Sequence, residues 1–91
     1  MEIKWTHKAV SDLAYLYEFL APINKKAATN VVQELTKSPL MLLNNPRIGE
    51  QLFQFEPQEV RRIFVKDYEI RYEIKNSIIC ILRLWHSRQD R

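Results

Sequence analysis

Glycine, cysteine and long apolar runs are nearly absent from this chain. Gly49 is the one glycine among 91 residues, which excludes a glycine-rich phosphate loop, a collagen-like repeat and a flexible linker. Cys80 is the one cysteine and lies in the apolar segment IICIL, so an internal disulfide and a paired-cysteine metal site are excluded. His7 and His86 lie at opposite ends of the sequence and form no helical ligand pair. We therefore expect neither a cofactor nor a metal ion.

A membrane segment is also missing. No apolar run approaches the roughly 18 residues that a spanning helix needs, and no cationic-then-apolar leader opens the chain. The hydrophobic share of 46% and the charged share of 27% are ordinary for a globular protein. Because so short a chain builds only one core, we expect a single domain over residues 1–91. The missing leader and membrane segment lead us to expect a cytoplasmic protein.

Positive charge is concentrated in the C-terminal third. Residues 1–59 contain 6 Lys and Arg against 7 Asp and Glu, whereas residues 60–91 contain 8 against 4, and six of those eight cations are arginine. Such an asymmetry favours an anionic partner, either nucleic acid or an acidic protein surface. A solvated sheet face explains the same cluster, so the charge alone leaves both interpretations open.

Two helices are predicted in the first half, after a short strand at EIKWT. Thr6 is a suitable N-cap for a helix that begins at His7 and ends before Pro22. Asn24 is a suitable cap for a second helix, and so short a connection predicts an antiparallel helical hairpin. The apolar stripes comprise Ala9, Val10, Leu13, Leu16, Tyr17 and Leu20, then Ala28, Val31, Val32 and Leu35. We expect the core to contain Leu13, Tyr17, Leu20, Val31, Leu35 and Ile81.

Strand patterns follow in the second half. Ser38 and Pro39 predict a short helical turn, and QLFQF predicts a short strand that Glu56 and Pro57 break. VRRIFV, YEIRYEI and IICILRLW then predict three strands joined by short turns. Without the short strand at QLFQF, the order is β-α-α-β-β-β, an α+β fold in which a helical hairpin packs on one face of a small antiparallel sheet. The other face remains open to solvent or to a partner.

Arginines on these strands are the candidate functional residues. Strand alternation places Arg71 on the polar side of its strand and allows Arg83 and Trp85 to share one side of the last strand. If these sides coincide, Arg71, Arg83 and either Arg61 or Arg62 line the open face, where guanidiniums bind phosphates or carboxylates. Ion pairs with the glutamates of its own strand explain the position of Arg71 without any ligand.

The terminal segment LWHSRQDR has two interpretations as well. An imidazole such as His86 transfers protons near neutral pH, and neighbouring cations stabilise an anionic transition state in phosphodiester cleavage. A histidine at a strand end is more often solvated or hydrogen-bonded. Asp90 can pair with Arg88 or Arg91, a surface ion pair that contributes little.

The whole chain resembles the RelE/ParE superfamily of bacterial type II toxins. WTHKAVSDL is similar to its first strand and helix, SPLMLLNNPRIGEQL to its helix-to-sheet connection, and EVRRIFVKDYEIRYEI with ILRLWHSRQDR to its sheet. One branch of the superfamily contains ribosome-dependent ribonucleases, which cut messenger RNA in the ribosomal A site. The other contains ParE-type toxins, which inhibit DNA gyrase.

The resemblance implies different roles for the same residues in the two branches. The ribonucleases have an arginine in the strand matching YEIRY, another near the C terminus and, in some members, a terminal-strand histidine; Arg71, Arg88 and His86 match them here. Those enzymes often add a C-terminal tyrosine, which is missing here, and Arg61 and Arg62 replace the lysine-rich strand of some members. Because gyrase inhibition needs a recognition surface and not a complete acid–base set, we favour the ParE-like branch.

We therefore expect the toxin of a type II toxin–antitoxin system, which inhibits DNA gyrase, arrests growth and stabilises plasmids, with no catalytic residue. The expected target-binding residues are Arg61, Arg62, Arg71, Arg83, Trp85, His86, Arg88 and Arg91. A RelE-like ribonuclease that cleaves messenger RNA on the ribosome with Arg71, His86 and Arg88 is the enzymatic alternative, and a non-toxic regulatory binding module is the third. The resemblance implies a cognate antitoxin with an acidic covering segment, bound in a hetero-oligomer, and no membrane partner.

Overall fold

Two helices pack on one face of a five-stranded sheet in the computed structural model, which describes residues 1–88. The strands are β1 Glu2–Trp5, β2 Glu50–Gln51, β3 Glu59–Val65, β4 Tyr68–Lys75 and β5 Ile78–His86. The helices are α1 His7–Leu20 and α2 Lys25–Lys37, and shorter 3-10 helices span Ser38–Leu43 and Phe53–Phe55. The predicted α+β order is confirmed. None of the helices within residues 1–88 is long and apolar enough to cross a membrane.

Both predicted helix caps are confirmed. The Thr6 hydroxyl accepts a hydrogen bond from the Ala9 N–H at 3.1 Å, and the Asn24 side chain accepts one from the Ala27 N–H at 3.0 Å. Such caps satisfy backbone donors that have no partner within the helix. The Thr6 hydroxyl also donates to the Ile81 carbonyl at 3.0 Å, which fixes the start of α1 against β5.

The sheet is mixed, which corrects the expectation of a purely antiparallel sheet. The strand order is β1-β5-β4-β3-β2. The pairs β2–β3, β3–β4 and β4–β5 are antiparallel, but β1 pairs parallel with β5. In the sequence, a two-residue turn between consecutive strands predicts antiparallel pairing. No such turn joins β1 to its partner β5, because β5 is the strand farthest from it along the chain. The strand predicted at QLFQF is also shorter than expected, because Phe53–Phe55 turns into a 3-10 helix after β2.

The main core lies between the helices and one face of the sheet. The buried cluster comprises Ala9, Leu16, Leu35, Leu42, Ile63, Val65, Ile70, Tyr72, Ile74, Ile79, Ile81 and Leu84. The predicted core is right for Leu35 and Ile81, while Leu13 and Val31 are only partly buried against the cluster. Tyr17 and Leu20 lie outside the cluster and are half-buried, because α1 is rotated so that Leu16 points into the core.

Candidate functional site

A β-bulge in β5 decides which side chains reach the open face of the sheet. Ile81 pairs with Tyr72 and Arg83 pairs with Arg71, so Leu82 is an extra residue in β5. Side chains alternate between the two faces of a strand, and an inserted residue reverses that alternation beyond it. Ile81 lies on the helix face, and Arg83 would lie there as well without the bulge. With the bulge, Arg83 joins the face opposite the helices.

Beyond the bulge, two rows of side chains cross this open face, as the strand register shows. The rows are Arg62, Arg71 and Arg83, then Phe64, Glu69 and Trp85. The choice between the two neighbouring arginines is thereby resolved, because Arg62 pairs with Arg71, whereas Arg61 pairs with the core residue Tyr72. The open face therefore contains four of the expected target-binding residues.

Glu69 is the anionic centre of the open face. It is only 2% exposed, and its carboxylate accepts hydrogen bonds from Trp85 Nε1 at 3.3 Å and from Arg71 Nη2 at 3.1 Å. A nitrogen of Arg62 lies 3.8 Å from the same carboxylate. A buried carboxylate is tolerated when donors and opposite charges surround it in this way. The ion pair predicted between Arg71 and Glu69 is therefore present.

Aromatic rings stack on the same guanidiniums. The Arg71 Cζ atom lies 4.8 Å from the ring centroid of Trp85 and 5.5 Å from that of Phe55, and Arg62 Cζ lies 5.3 Å from that of Phe64. Both distances around Arg71 are within the range of cation–π attraction. The Arg71 Nε atom is buried and has no hydrogen-bond partner within residues 1–88. Arg71 is thus held between two rings and one carboxylate.

Arg83 is anchored at the edge of the sheet by a residue of α1. Its guanidinium donates to both carboxylate oxygens of Asp12, at 2.8 and 3.1 Å, and the Leu84 N–H donates to Asp12 at 3.0 Å. The hydrogen bond to Asp12 raises the pKa of Arg83 above its usual value. Arg83 also lies 5.6 Å from the Trp85 ring, so it connects α1 with the open face.

Arg61 lies apart from this face and holds a loop instead. Its guanidinium donates to the Gly49 carbonyl at 2.7 Å and to the Glu59 carboxylate at 2.9 Å. The Glu59 carboxylate also accepts two hydrogen bonds from Arg47, at 2.8 and 3.0 Å. The side-chain hydrogen bond from Arg47, followed by that from Arg61, lowers the pKa of Glu59 although burial opposes the shift. These contacts give Arg61 a structural role.

His86 and Arg88 also lie away from the open face. His86 pairs with Tyr68 on the helix side, where the two rings meet edge to face at a centroid distance of 5.2 Å. The His86 Nδ1 atom accepts a hydrogen bond from the Arg88 N–H at 3.1 Å. Both residues border a cavity of about 320 Å³, which is lined by Tyr15, Leu16, Phe19, Leu20, Tyr68, His86 and Arg88. Asp90 and Arg91 lie outside the described residues.

The three residues of the ribonuclease alternative do not converge in this structure. Arg71 and Tyr68 are three positions apart on one strand, so their side chains lie on opposite faces, and His86 shares the face of Tyr68. A general acid–base group must come within hydrogen-bond reach of the atom that reacts. Arg71 and His86 therefore do not face one common phosphodiester site in this structure. Within residues 1–88, no group of three His, Cys, Asp or Glu side chains is placed to hold a metal ion.

Three residues of the site were not predicted from the sequence. Phe64 had a visible signal, since strand alternation places it on the same side of its strand as Arg62. Phe55 and Asp12 had none, because they come from a 3-10 helix and from α1, far in sequence from the strands that they contact.

Comparison with known proteins assigns this helical hairpin on a mixed sheet to a toxin family. Over residues 3–91 the sequence matches the family described as the ParE toxin of the type II toxin–antitoxin system parDE, and the chain belongs to this family. It is also similar to a chain in the solved structure of a chromosomal ParDE toxin–antitoxin system from P. aeruginosa. That likeness has a TM-score of 0.79 and 26% identity over 94% of this chain and 95% of that chain. No curated protein matches the chain.

Proposed function

We propose that this protein inhibits DNA gyrase and that a cognate antitoxin neutralises it. Membership of the ParE toxin family supports the class of activity. The observation that carries the choice of target is the separation of Arg71 from His86 by the sheet. A ribonuclease needs these groups on one substrate bond, whereas an inhibitor that binds its target needs only a continuous recognition surface.

The open face is the surface that we assign to the target. Of the residues expected to bind it, Arg62, Arg71, Arg83 and Trp85 share this face. They are held by ion pairs and ring contacts, so the surface is formed before the target arrives. A preformed surface loses less conformational entropy on binding.

The antitoxin is proposed to be acidic where it covers the toxin, in a hetero-oligomer with it. The toxin has a formal net charge of +3, with its excess of cations in residues 60–91. Opposite charge accelerates association and selects the partner. The similarity to a chain of a ParDE system supports such a pair. Gyrase as the target implies action in the cytoplasm, and a toxin–antitoxin pair of this kind would stabilise a plasmid that encodes it.

Two assays with the same preparation test the proposed target. Purified toxin is added to a gyrase supercoiling reaction and, in parallel, to ribosomes programmed with messenger RNA. We expect inhibition of supercoiling and intact messenger. His86→Ala should lose less than about tenfold in potency against gyrase, whereas loss of an acid–base catalyst lowers a rate by about 100- to 10,000-fold. Site-specific messenger cleavage that disappears in His86→Ala, with gyrase unaffected, would establish the ribonuclease instead.

Growth tests the neutralisation. Expression of the toxin alone should arrest bacterial growth, and co-expression of its cognate antitoxin should restore it. Normal growth despite soluble expression of the toxin would contradict toxicity and would favour a non-toxic binding module.

A further inference from the structure

The guanidiniums of the open face are already paired with carboxylates of the same chain. Arg62 pairs with Glu50 at 3.0 Å, Arg71 with Glu69 at 3.1 Å and Arg83 with Asp12 at 2.8 Å. Proteins bind nucleic acid largely by neutralising phosphates with cations and releasing counterions. Here a phosphate would have to share each guanidinium with a carboxylate, and the buried Glu69 would stay beneath it as a repelling charge. The face is therefore poorly suited to a polyanion.

Exposed aromatic rings remain available on this face. Phe64 is 53% exposed and Phe55 is 36% exposed. Phe64 lies against the guanidinium of Arg62, and Phe55 lies against that of Arg71. Stacking on a planar cation restricts the orientations of each ring before any partner binds. Rigid aromatic side chains next to arginine are typical of the residues that carry most of the energy in protein–protein interfaces.

We infer that Phe55 and Phe64, supported by Arg71 and Arg62, form the contact site for an apolar protein surface. The face is near charge balance where these rings project, so it complements an uncharged surface with pockets for two rings. The inference rests on the proposed function and deepens it, because it assigns the contact to the protein of gyrase and not to its DNA. The sequence-based expectation of an anionic target does not hold for this face under the proposal.

Binding to gyrase without DNA is the direct test. Fluorescently labelled toxin is titrated with purified gyrase holoenzyme, and the dissociation constant is measured by anisotropy. Phe64→Ala and Phe55→Ala should each weaken binding by at least about tenfold. Phe19→Ala is the matched control, because Phe19 is 61% exposed on α1, which packs on the opposite face. It should change the dissociation constant by no more than about twofold.

Salt dependence separates a protein partner from a nucleic-acid partner. We expect complex formation with DNA-free gyrase, weak dependence on salt concentration, and no binding of the toxin to a DNA duplex or to single-stranded DNA. Each phosphate contact to duplex DNA would instead contribute about −0.9 to the slope of log affinity against log salt. Binding that requires DNA and weakens steeply with salt would overturn the inference, as would equal affinities for wild type, Phe64→Ala and Phe55→Ala.

Growth arrest distinguishes failure of the inference from failure of the proposed target. If wild type arrests growth without binding gyrase, the proposed target is wrong and the assignment to gyrase protein is wrong with it. If wild type binds and inhibits gyrase but the two phenylalanine variants remain as toxic as the Phe19→Ala control, only the inferred contact site is wrong. Circular dichroism and thermal unfolding of each variant confirm that a loss of binding does not reflect unfolding.

Discussion

Gly49 is required by close packing against two neighbouring strands. An added Cβ atom would lie 2.6 Å from the Tyr72 hydroxyl oxygen and 2.7 Å from the Arg62 carbonyl oxygen. The Gly49 N–H donates to the same hydroxyl at 3.1 Å, and that hydroxyl donates to the Pro46 carbonyl at 2.7 Å. The one glycine of the chain thus positions the loop that precedes β2.

Substitution of this glycine should therefore destabilise the protein. We expect Gly49→Ala to lower the free energy of unfolding by about 1–3 kcal/mol, because the backbone carbonyl of Arg62 cannot move away as a flexible side chain would. Tyr72→Phe should cost about 1–3 kcal/mol by leaving the Gly49 N–H without its acceptor. Urea unfolding measures both, and the double variant should lose less than the sum. Strict additivity would show that the methyl group does not meet the hydroxyl.

Glu59 gives a second prediction at the scale of single residues, concerning pH. Its pKa is lowered in the folded state, chiefly by the hydrogen bond from Arg47, so it stabilises the fold above its unfolded pKa of about 4.3. That contribution is lost as the pH falls through the folded pKa. Because Arg47 is 60% exposed, Glu59→Gln should cost no more than about 1 kcal/mol at pH 7.

Urea unfolding of wild type and Glu59→Gln at neutral and at acid pH checks this effect. The difference in free energy should shrink as the pH falls from about 4.3 through the lowered folded pKa of Glu59, and it should disappear where the carboxyl is fully protonated and uncharged like the amide. A difference that persists there would mean that hydrogen-bond geometry, and not charge, supplies the stabilisation.

At the scale of elements, half of β5 lacks a strand partner on one side among residues 1–88. β1 pairs only with Ile78 to Ile81, so beyond the bulge the edge of β5 meets α1 instead of a strand. Asp12 supplies the missing acceptor for the Leu84 N–H and holds Arg83 at the same time. One carboxylate on a helix thereby completes the edge of a strand and orients a side chain of the open face.

Removal of this carboxylate should affect stability and the open face together. We expect Asp12→Ala to lower the free energy of unfolding by about 1–3 kcal/mol, since charge-assisted hydrogen bonds to Arg83 and Leu84 are lost. Glu18→Ala is the control on the same helix, where an exposed glutamate forms no ion pair within residues 1–88. Equal unfolding midpoints for the two variants in urea would contradict the role of Asp12.

At the scale of the whole molecule, stability depends on how the helices meet the sheet. Leu35 is 1% exposed in the main core, whereas Leu13 is only partly buried against it. Leu35→Ala should therefore cost about 2–5 kcal/mol, and Leu13→Ala should cost less, because part of that side chain stays in water. Thermal or urea unfolding ranks the two variants. The reverse order would mean that the helices are rotated relative to the sheet.

The sequence by itself determined the two helices, their caps and the three C-terminal strands, in their order along the chain, but not the 3-10 helix at Phe53–Phe55. Thr6 and Asn24 cap the helices as predicted, and the two-residue turns after β3 and β4 join antiparallel strands. These features follow from interactions between residues close in sequence, such as a side-chain cap three residues from its donor. Local patterns are enough for such features, and the family resemblance agreed with them.

Only the tertiary structure decided the direction of β1 and the composition of the open face. The bulge at Leu82 brings Arg83 to that face, and Asp12, 71 positions away in sequence, then holds it there. The same register places Arg62 with Arg71 and leaves His86 on the opposite side. An extra residue in a strand has no clear signature in the sequence, because its energy depends on the partner strand. The candidate site therefore follows from pairing between strands, which no local pattern specifies.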